Sequence, residues 1–113
     1  MDDLLNQKCV PCEGGTPPLS PSEVERYKKQ LKQEWQIVDN KKLQRTFIFK
    51  NFRESMNFVN KVANIAESEG HHPDIYIFYS KVKIELWTHA IGGLFTNDFI
   101  MAAKIELLIG NLS

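Results

Sequence analysis

The order in which helical and strand patterns follow one another constrains the fold of this chain more than any other feature. Three segments carry apolar residues at helical spacing, and four short segments rich in β-branched and aromatic residues have the pattern of strands. In chain order these segments lie near residues 21–33, 35–38, 43–49, 52–68, 75–79, 82–89 and 97–109. Because each pair of strands is joined by a short turn, the sequence predicts an α+β fold of order α-β-β-α-β-β-α, a four-stranded antiparallel sheet with three helices packed on one face.

Specific residues mark the ends of the predicted helices. Ser20 and Glu23 have the spacing of a capping box at the start of the first helix. Gly70 follows the second helix, where a left-handed glycine cap would end it. Thr96 is placed to cap the third helix, and Gly110 is expected to end it.

The second helix carries more apolar surface than one contact requires. It has two apolar stripes, which are Phe52, Met56, Val59, Ala63 and Ala66, and Phe58, Val62 and Ile65. A helix that is apolar over so wide an arc is expected to contact both its own sheet and a further surface.

Length and composition indicate one domain preceded by a leader. The 113 residues, 42% of them hydrophobic, are enough for a single core. Residues 11–18 contain three prolines and two glycines, which disfavour regular structure. The sequence therefore predicts a flexible N-terminal leader at 1–19 and a single domain at 20–113.

Charge and hydropathy limit the classes of partner and the location. Fourteen basic and fourteen acidic residues balance, whereas nucleic acid and anionic membranes require a basic surface. No apolar run approaches the roughly 20 residues of a membrane helix, and the N-terminus does not resemble a signal peptide. These features predict a cytoplasmic protein with neither nucleic acid nor membrane as its partner.

Cys9 and Cys12 form a Cys-x-x-Cys pair in the leader. Zinc would need two further ligands, and the sequence has no second cysteine pair. A redox site of the thioredoxin kind would open a helix after a strand, which this segment does not do. We therefore expect two reduced, passive cysteines.

The candidate site is a cluster of histidines at the corner between the second helix and the third strand. All three histidines, His71, His72 and His89, lie within 19 positions, and Pro73 follows the adjacent pair. Histidine exchanges protons near neutral pH and also binds metals. Two chemistries are open at this point: a three-histidine metal site, which the adjacent pair suits poorly, and metal-free acid–base catalysis. The sequence has neither a Gly-x-Ser-x-Gly nucleophile motif nor a glycine-rich phosphate loop.

The spacing of these residues resembles a known family. The run Glu67-x3-His71-His72-Pro73-x5-Tyr79-x9-His89-x8-Asp98 is similar to the pattern of the pterin-4a-carbinolamine dehydratases. The resemblance covers nearly the whole chain, and it includes Trp35, Arg45-x-Phe47-x-Phe49, Phe52 and Cys9-Val10-Pro11-Cys12.

The resemblance implies both an activity and an assembly. It implies a hydro-lyase that removes water from a 4a-hydroxytetrahydropterin in tetrahydrobiopterin recycling, with no metal and no organic cofactor. It also implies a homodimer or homotetramer, functionally coupled to an aromatic amino acid hydroxylase. The alternative that it implies is a dimerisation cofactor for a homeodomain transcription factor, acting through the helix surface. A third possibility is activity on another pterin.

By position, the resemblance carries the catalytic role to His71, His72 and His89, with His72 as the main acid–base residue. The residues expected to bind substrate are Glu67, Trp35, Asp74, Trp87, Thr88 and Asp98. For Trp35 a place in the core is an equal alternative, and for Asp98 structural support is favoured over ligand contact. Two positions depart from the family: Trp87, where small hydroxyl residues also occur, and Ile91, where a cysteine can occur.

Overall fold

The computed structural model describes residues 4–10, 17–31 and 35–112, and it has the predicted order of elements. The helices α1, α2 and α3 span Pro21–Lys28, Phe52–Glu69 and Thr96–Leu112. The strands β1, β2, β3 and β4 span Gln36–Val38, Lys42–Ile48, Asp74–Phe78 and Lys81–Leu86. Two short 3₁₀ turns, Leu4–Asn6 and His89–Ile91, complete the described elements.

The four strands form one antiparallel sheet in the order β1-β2-β4-β3. The two hairpins meet in the middle, where β2 pairs with β4 from Leu43 opposite Leu86 to Ile48 opposite Lys81. In the first hairpin the connecting residues Asp39 and Asn40 both have positive φ, which these side chains tolerate well in turns. The predicted antiparallel sheet is confirmed.

One face of the sheet is buried under the helices. On the two central strands alternate side chains are inaccessible, and these are Leu43, Phe47, Val82, Ile84 and Leu86. The Phe58 ring of α2 lies on Phe47, with centroids 4.8 Å apart, and the Tyr27 ring of α1 stacks on Phe99 of α3. This alternation is what a half-covered sheet requires, and it confirms the predicted α+β packing.

The stripe of α2 that contains Phe58 and Val62 faces the core. Both residues are fully buried, whereas Phe52 of the other stripe is 48% exposed. Met56 and Val59 of that stripe are half-buried. Ala66 of that stripe is buried, so the outer row of α2 consists of Phe52, Met56, Val59 and Ala63.

Most predicted element ends agree with the structure within one residue, and three ends differ by more. Helix α1 ends at Lys28, so Leu31 lies beyond it, and residues 32–34 lie outside the described ranges. Helix α3 begins at Thr96 itself and continues through Gly110, because an interior glycine costs only about 1 kcal/mol relative to alanine and does not by itself end a helix. Strand β4 stops at Leu86, so His89 lies in the 3₁₀ turn that follows.

Residues 4–10 pack against the domain, although the sequence predicted a leader without regular structure. Leu4 is buried, and the backbone N–H of Cys9 donates to the Glu69 carboxylate at 2.8 Å. The Asn97 side chain bonds both the N–H and the carbonyl of Val10. Burial of Leu4 and these bonds act against the entropy cost of ordering the segment. Residues 11–16, including Cys12, lie outside the described ranges.

Within the described ranges, no helix is both long enough and apolar enough to cross a membrane.

Candidate active site

The end of α2 positions two of the three histidines. Gly70 adopts a left-handed conformation with φ of 68°, and its N–H bonds the carbonyl of Ala66. The N–H of His71 is directed to the same carbonyl. The chain therefore leaves the helix abruptly, as predicted, and presents His71 and His72 at the corner before β3.

The two adjacent side chains turn to different partners. Nε2 of His71 lies 2.6 Å from Oδ1 of Asp98, in the first turn of α3. The His71 side chain is 12% exposed and that of Asp98 is fully buried. Because an ionised carboxylate can only accept, the ring N–H at Nε2 donates to Asp98. This bond leaves Nδ1 of His71 as the nitrogen that can exchange a proton with another molecule.

The Asp98 carboxylate also holds the segment that leads to the third histidine. Its Oδ2 accepts from the Thr88 hydroxyl at 2.9 Å and from the Phe95 N–H at 3.0 Å. The first turn of a helix favours a negative charge, so the position at the start of α3 stabilises this carboxylate. Since Thr88 precedes His89 directly, one buried group joins the segments that carry His71 and His89.

His72 bonds the carboxylate of Glu67 through Nε2, one turn back along α2. Both side chains are mostly in solvent, 59% and 78% exposed. The pair is therefore accessible, and Nδ1 of His72 faces no partner among the described residues.

His89 lies against an aromatic ring. The Trp87 and His89 rings are 3.8 Å apart between centroids, tilted by 35°. The indole N–H of Trp87 donates to Oδ2 of Asp74 at 3.1 Å, and Nζ of Lys42 lies 5.2 Å from the Trp87 ring centroid. The two rings are therefore in contact, although both residues lie beyond the end of β4.

The arrangement offers several nitrogen atoms for proton transfer. His71 and His72 each keep one ring nitrogen uncommitted, and the His89 ring makes no hydrogen bond within the described part of the chain. Such a site can donate a proton to one atom of a bound molecule while accepting one from another. Among the described residues, no three His, Cys, Asp or Glu side chains converge in a way that would hold a metal ion.

Trp35 is not brought to this site. It is buried, packs edge-on against Phe47 and donates its indole N–H to Glu106, eight residues beyond Asp98 on α3. Since α3 rises about 1.5 Å per residue, that contact lies roughly 12 Å along the helix from Asp98. Of the two alternatives for Trp35, the structure has the core position.

Thr88 and Asp98 differ from their predicted place in the substrate-binding set. Both are buried and bonded to each other, so they support the site from behind. Its burial favours the structural alternative for Asp98. The Thr88 hydroxyl also points into the protein, toward a carboxylate 10 residues ahead in sequence.

Two residues that bind the N-terminal segment were not predicted from the sequence. Glu69 bonds the Cys9 N–H and Lys104, and Asn97 bonds Val10. They flank His71 and Asp98 in sequence, and no local pattern distinguishes them from ordinary helix-end residues. Burial, followed by the charge of Glu69, raises the pKa of the Cys9 thiol to about 12. Cys9 therefore stays protonated near neutral pH, which agrees with the prediction of a passive cysteine.

Comparison with known proteins identifies the family. The family model described as Pterin 4 alpha carbinolamine dehydratase matches residues 17–108. The chain belongs to this family. The match contains all three histidines and every side chain that supports them.

Bacterial relatives of the pterin-4-alpha-carbinolamine dehydratase family align over almost the whole chain. A protein of Nitrosomonas eutropha is 52% identical over 95% of this chain and 94% of its own length. One of Alkaliphilus metalliredigens is 48% identical over 94% of this chain and 96% of its own. Both bear the name "Putative pterin-4-alpha-carbinolamine dehydratase".

A solved structure of the same family has a similar fold. It is described as a transcriptional coactivator/pterin dehydratase from Brucella melitensis, and it is 33% identical to this chain. It aligns with a TM-score of 0.75 over 80% of this chain and 97% of its own. The family is one of hydro-lyases, and its fold is the one described above.

Proposed function

We propose that this protein dehydrates a 4a-hydroxytetrahydropterin to the quinonoid dihydropterin by metal-free acid–base catalysis at His71, His72 and His89. One observation carries the proposal: each histidine is held by a different neighbour, and each keeps at least one ring nitrogen for a substrate. Membership of the dehydratase family supports the choice of reaction.

The reaction needs an acid and a base at the same time. The bond from C4a to the hydroxyl oxygen breaks, and the hydroxide leaves as water once it has received a proton. The electron pair of the adjacent ring N–H bond forms the new C=N bond, and a base takes that proton. Neutral and protonated imidazoles near pH 7 can perform both tasks.

His72 is the group that we assign to the main proton transfer. It is exposed, and the bond from its Nε2 to Glu67 orients the ring and leaves Nδ1 for the substrate. His71 is held rigidly by Asp98 and presents Nδ1, and His89 follows Thr88, which bonds the same Asp98. These two bind the pterin and share the proton transfers.

The experiment is a dehydratase assay with chemically generated 4a-hydroxytetrahydropterin, with and without a chelator. We expect full activity with the chelator and a 10²- to 10⁴-fold fall in kcat for His72→Ala, the usual range for loss of a general acid or base. The controls are His71→Ala and His89→Ala. Unchanged turnover in His72→Ala would refute the role of that residue, and loss of activity on chelation would restore the metal hypothesis.

The physiological setting that we propose is tetrahydropterin recycling after an aromatic amino acid hydroxylase. Assembly as a homodimer or homotetramer would cover the outer row of α2, where Phe52 is 48% exposed. The cytoplasmic location stays a prediction from the sequence.

A second candidate function is protein binding through the same outer row of α2. The half-buried Met56 and Val59 beside the exposed Phe52 favour a covered helix surface. The Brucella melitensis structure is described as a coactivator as well as a dehydratase. Gel filtration with and without a candidate partner tests this role, and a His72→Ala variant that still assembles would separate it from catalysis.

A further inference from the structure

The three histidines are supported in two chemically different ways. Nε2 of His71 bonds the carboxylate of Asp98, and Nε2 of His72 bonds that of Glu67. Within the described part of the chain, the ring of His89 has neither a hydrogen bond nor an ion pair, and its contact is the face of Trp87 at 3.8 Å. The orientation of the exposed His89 ring therefore depends on the indole.

Trp87 is itself held from two neighbouring strands. Its N–H donates to Asp74 at the start of β3, and Lys42 at the start of β2 lies near its ring face. Lys42 is in turn 3.8 Å from the carboxylate of Glu85 on β4. An indole fixed at its nitrogen and on its ring has little freedom to rotate.

The sheet register explains why these groups meet. Leu43 pairs with Leu86, so the residues one step outside the pair, Lys42 and Trp87, lie opposite each other. On the other side Asp74 pairs with Glu85, two positions before Trp87 and on the same face. Pairing across three strands therefore brings a cation, a carboxylate and an indole together beneath His89.

We propose that Trp87 is a positioning residue for His89, with Asp74 fixing the indole, and that neither residue touches the pterin. This inference rests on the proposed function, because it assigns a role within that reaction. A ring contact orients an imidazole without occupying either of its nitrogens. His89 thus keeps both nitrogens for proton exchange, one toward the substrate and one toward solvent.

The first measurement compares kcat and KM for Trp87→Leu, Trp87→Phe and Asp74→Ala. We expect kcat to fall about tenfold in Trp87→Leu, since a small misplacement of a catalytic group is costly, with KM within about twofold. Trp87→Phe keeps a ring face and is expected to retain more activity than Trp87→Leu. The matched control is Phe78→Leu, which removes a 55% exposed aromatic ring from β3 outside these contacts and should leave kcat unchanged.

The second measurement repeats Trp87→Leu in a His89→Ala background. If Trp87 acts only through His89, the second substitution has an effect of less than about twofold there. If Trp87→Leu still lowered kcat about tenfold in the His89→Ala background, or raised KM at constant kcat, Trp87 would contact the substrate and the proposal would be overturned.

The third measurement uses NMR and does not depend on activity. An indole 3.8 Å from the imidazole shifts the carbon-bound proton signals of His89 by its ring current, and Trp87→Leu should abolish that shift. Identical His89 signals in wild type and Trp87→Leu would overturn the inference. An inactive wild-type protein that shows the shift would refute the proposed function and leave the ring contact intact.

Discussion

Two neighbouring histidines are each bonded to a carboxylate, but the two pairs lie in very different surroundings. The His71 and Asp98 side chains are 12% and 0% exposed, whereas those of His72 and Glu67 are 59% and 78% exposed. The buried pair joins two elements 27 residues apart in sequence, and the exposed pair lies within one helix and the corner after it. The same chemical contact thus serves two purposes.

The difference in burial determines what each pair can do. A buried carboxylate is stable only when donors surround it, and Asp98 has three of them, from His71, Thr88 and Phe95. An exposed pair is screened by water and contributes little to stability. His71 is therefore fixed in place, whereas His72 and its Glu67 partner can adjust their positions to a bound substrate at small cost.

The largest effect is expected from Asp98→Ala. Removal of this buried carboxylate leaves one buried donor, the Thr88 hydroxyl, and two half-buried donors without an acceptor, and it should lower the free energy of unfolding by about 3 kcal/mol. Urea unfolding followed by circular dichroism measures the change. Asp98→Asn keeps an acceptor for the Thr88 hydroxyl and should cost less. If Asp98→Ala were as stable as Glu67→Ala, the contrast between the two pairs would be wrong.

The Asp98→Ala variant should also lose activity, for a reason separate from its lower stability. Without Asp98 the His71 ring has no fixed tautomer, so kcat should fall even in molecules that remain folded. Activity measured at a urea concentration well below the unfolding midpoint of the variant separates this effect from the stability loss.

Much of the fold followed from sequence because its signals are local. The Ser20–Glu23 capping box and the left-handed Gly70 are both in the structure, since each depends on residues within one turn. The two strand pairs also followed from their short turns. Which stripe of α2 faces inward could not be predicted, because both stripes are apolar and the sheet decides between them.

The sequence predicted which residues belong to the candidate site but not which contacts they make. The cluster of histidines was evident in the sequence, but the bond from His71 to Asp98 depends on how α2 and α3 pack. For Trp35 the sequence left two alternatives open, because an aromatic residue is equally suited to a core and to a binding surface. The burial of Leu4 was missed, since the proline- and glycine-rich stretch after it indicated a leader without contacts.

An effect of intermediate size on stability is expected from Glu69→Gln. Glu69 lies in the same helix turn as Glu67, but its side chain is only 7% exposed. Burial alone raises the pKa of the Glu69 carboxyl, but the bond from Lys104 and the N–H of Cys9 outweigh it and hold the pKa below its usual range. A lowered folded pKa contributes stability above the unfolded value of about 4.3, and this contribution is lost as pH falls through the folded value.

Unfolding midpoints measured from pH 6 down to pH 3 test this linkage. The stability gap between wild type and Glu69→Gln should be constant near pH 6 and should narrow as the acid is added. Glu67→Gln serves as the comparison from the same turn. A gap that widened toward low pH would contradict the lowered pKa.

The smallest effect is expected from Glu67→Gln on stability, within about 0.5 kcal/mol, because exposed ion pairs contribute little. The amide can still accept from His72 but forms a weaker hydrogen bond than a carboxylate and orients the ring less firmly, so we expect a several-fold loss of kcat. Raising the salt concentration should reduce wild-type activity toward that of the variant. A stability loss comparable to that of Asp98→Ala would mean that the exposed pair is structural after all.

The N-terminal segment has a consequence for the order of folding. Cys9 and Val10 bond residues 60 and 87 positions away, Glu69 and Asn97, and those two residues adjoin His71 and Asp98. Contacts that close such long loops form late, after the hairpins and helices that need only local closure. Completion of the site therefore waits for the start of the chain to return, and amide exchange at residues 9 and 10 should report the first opening of the native protein.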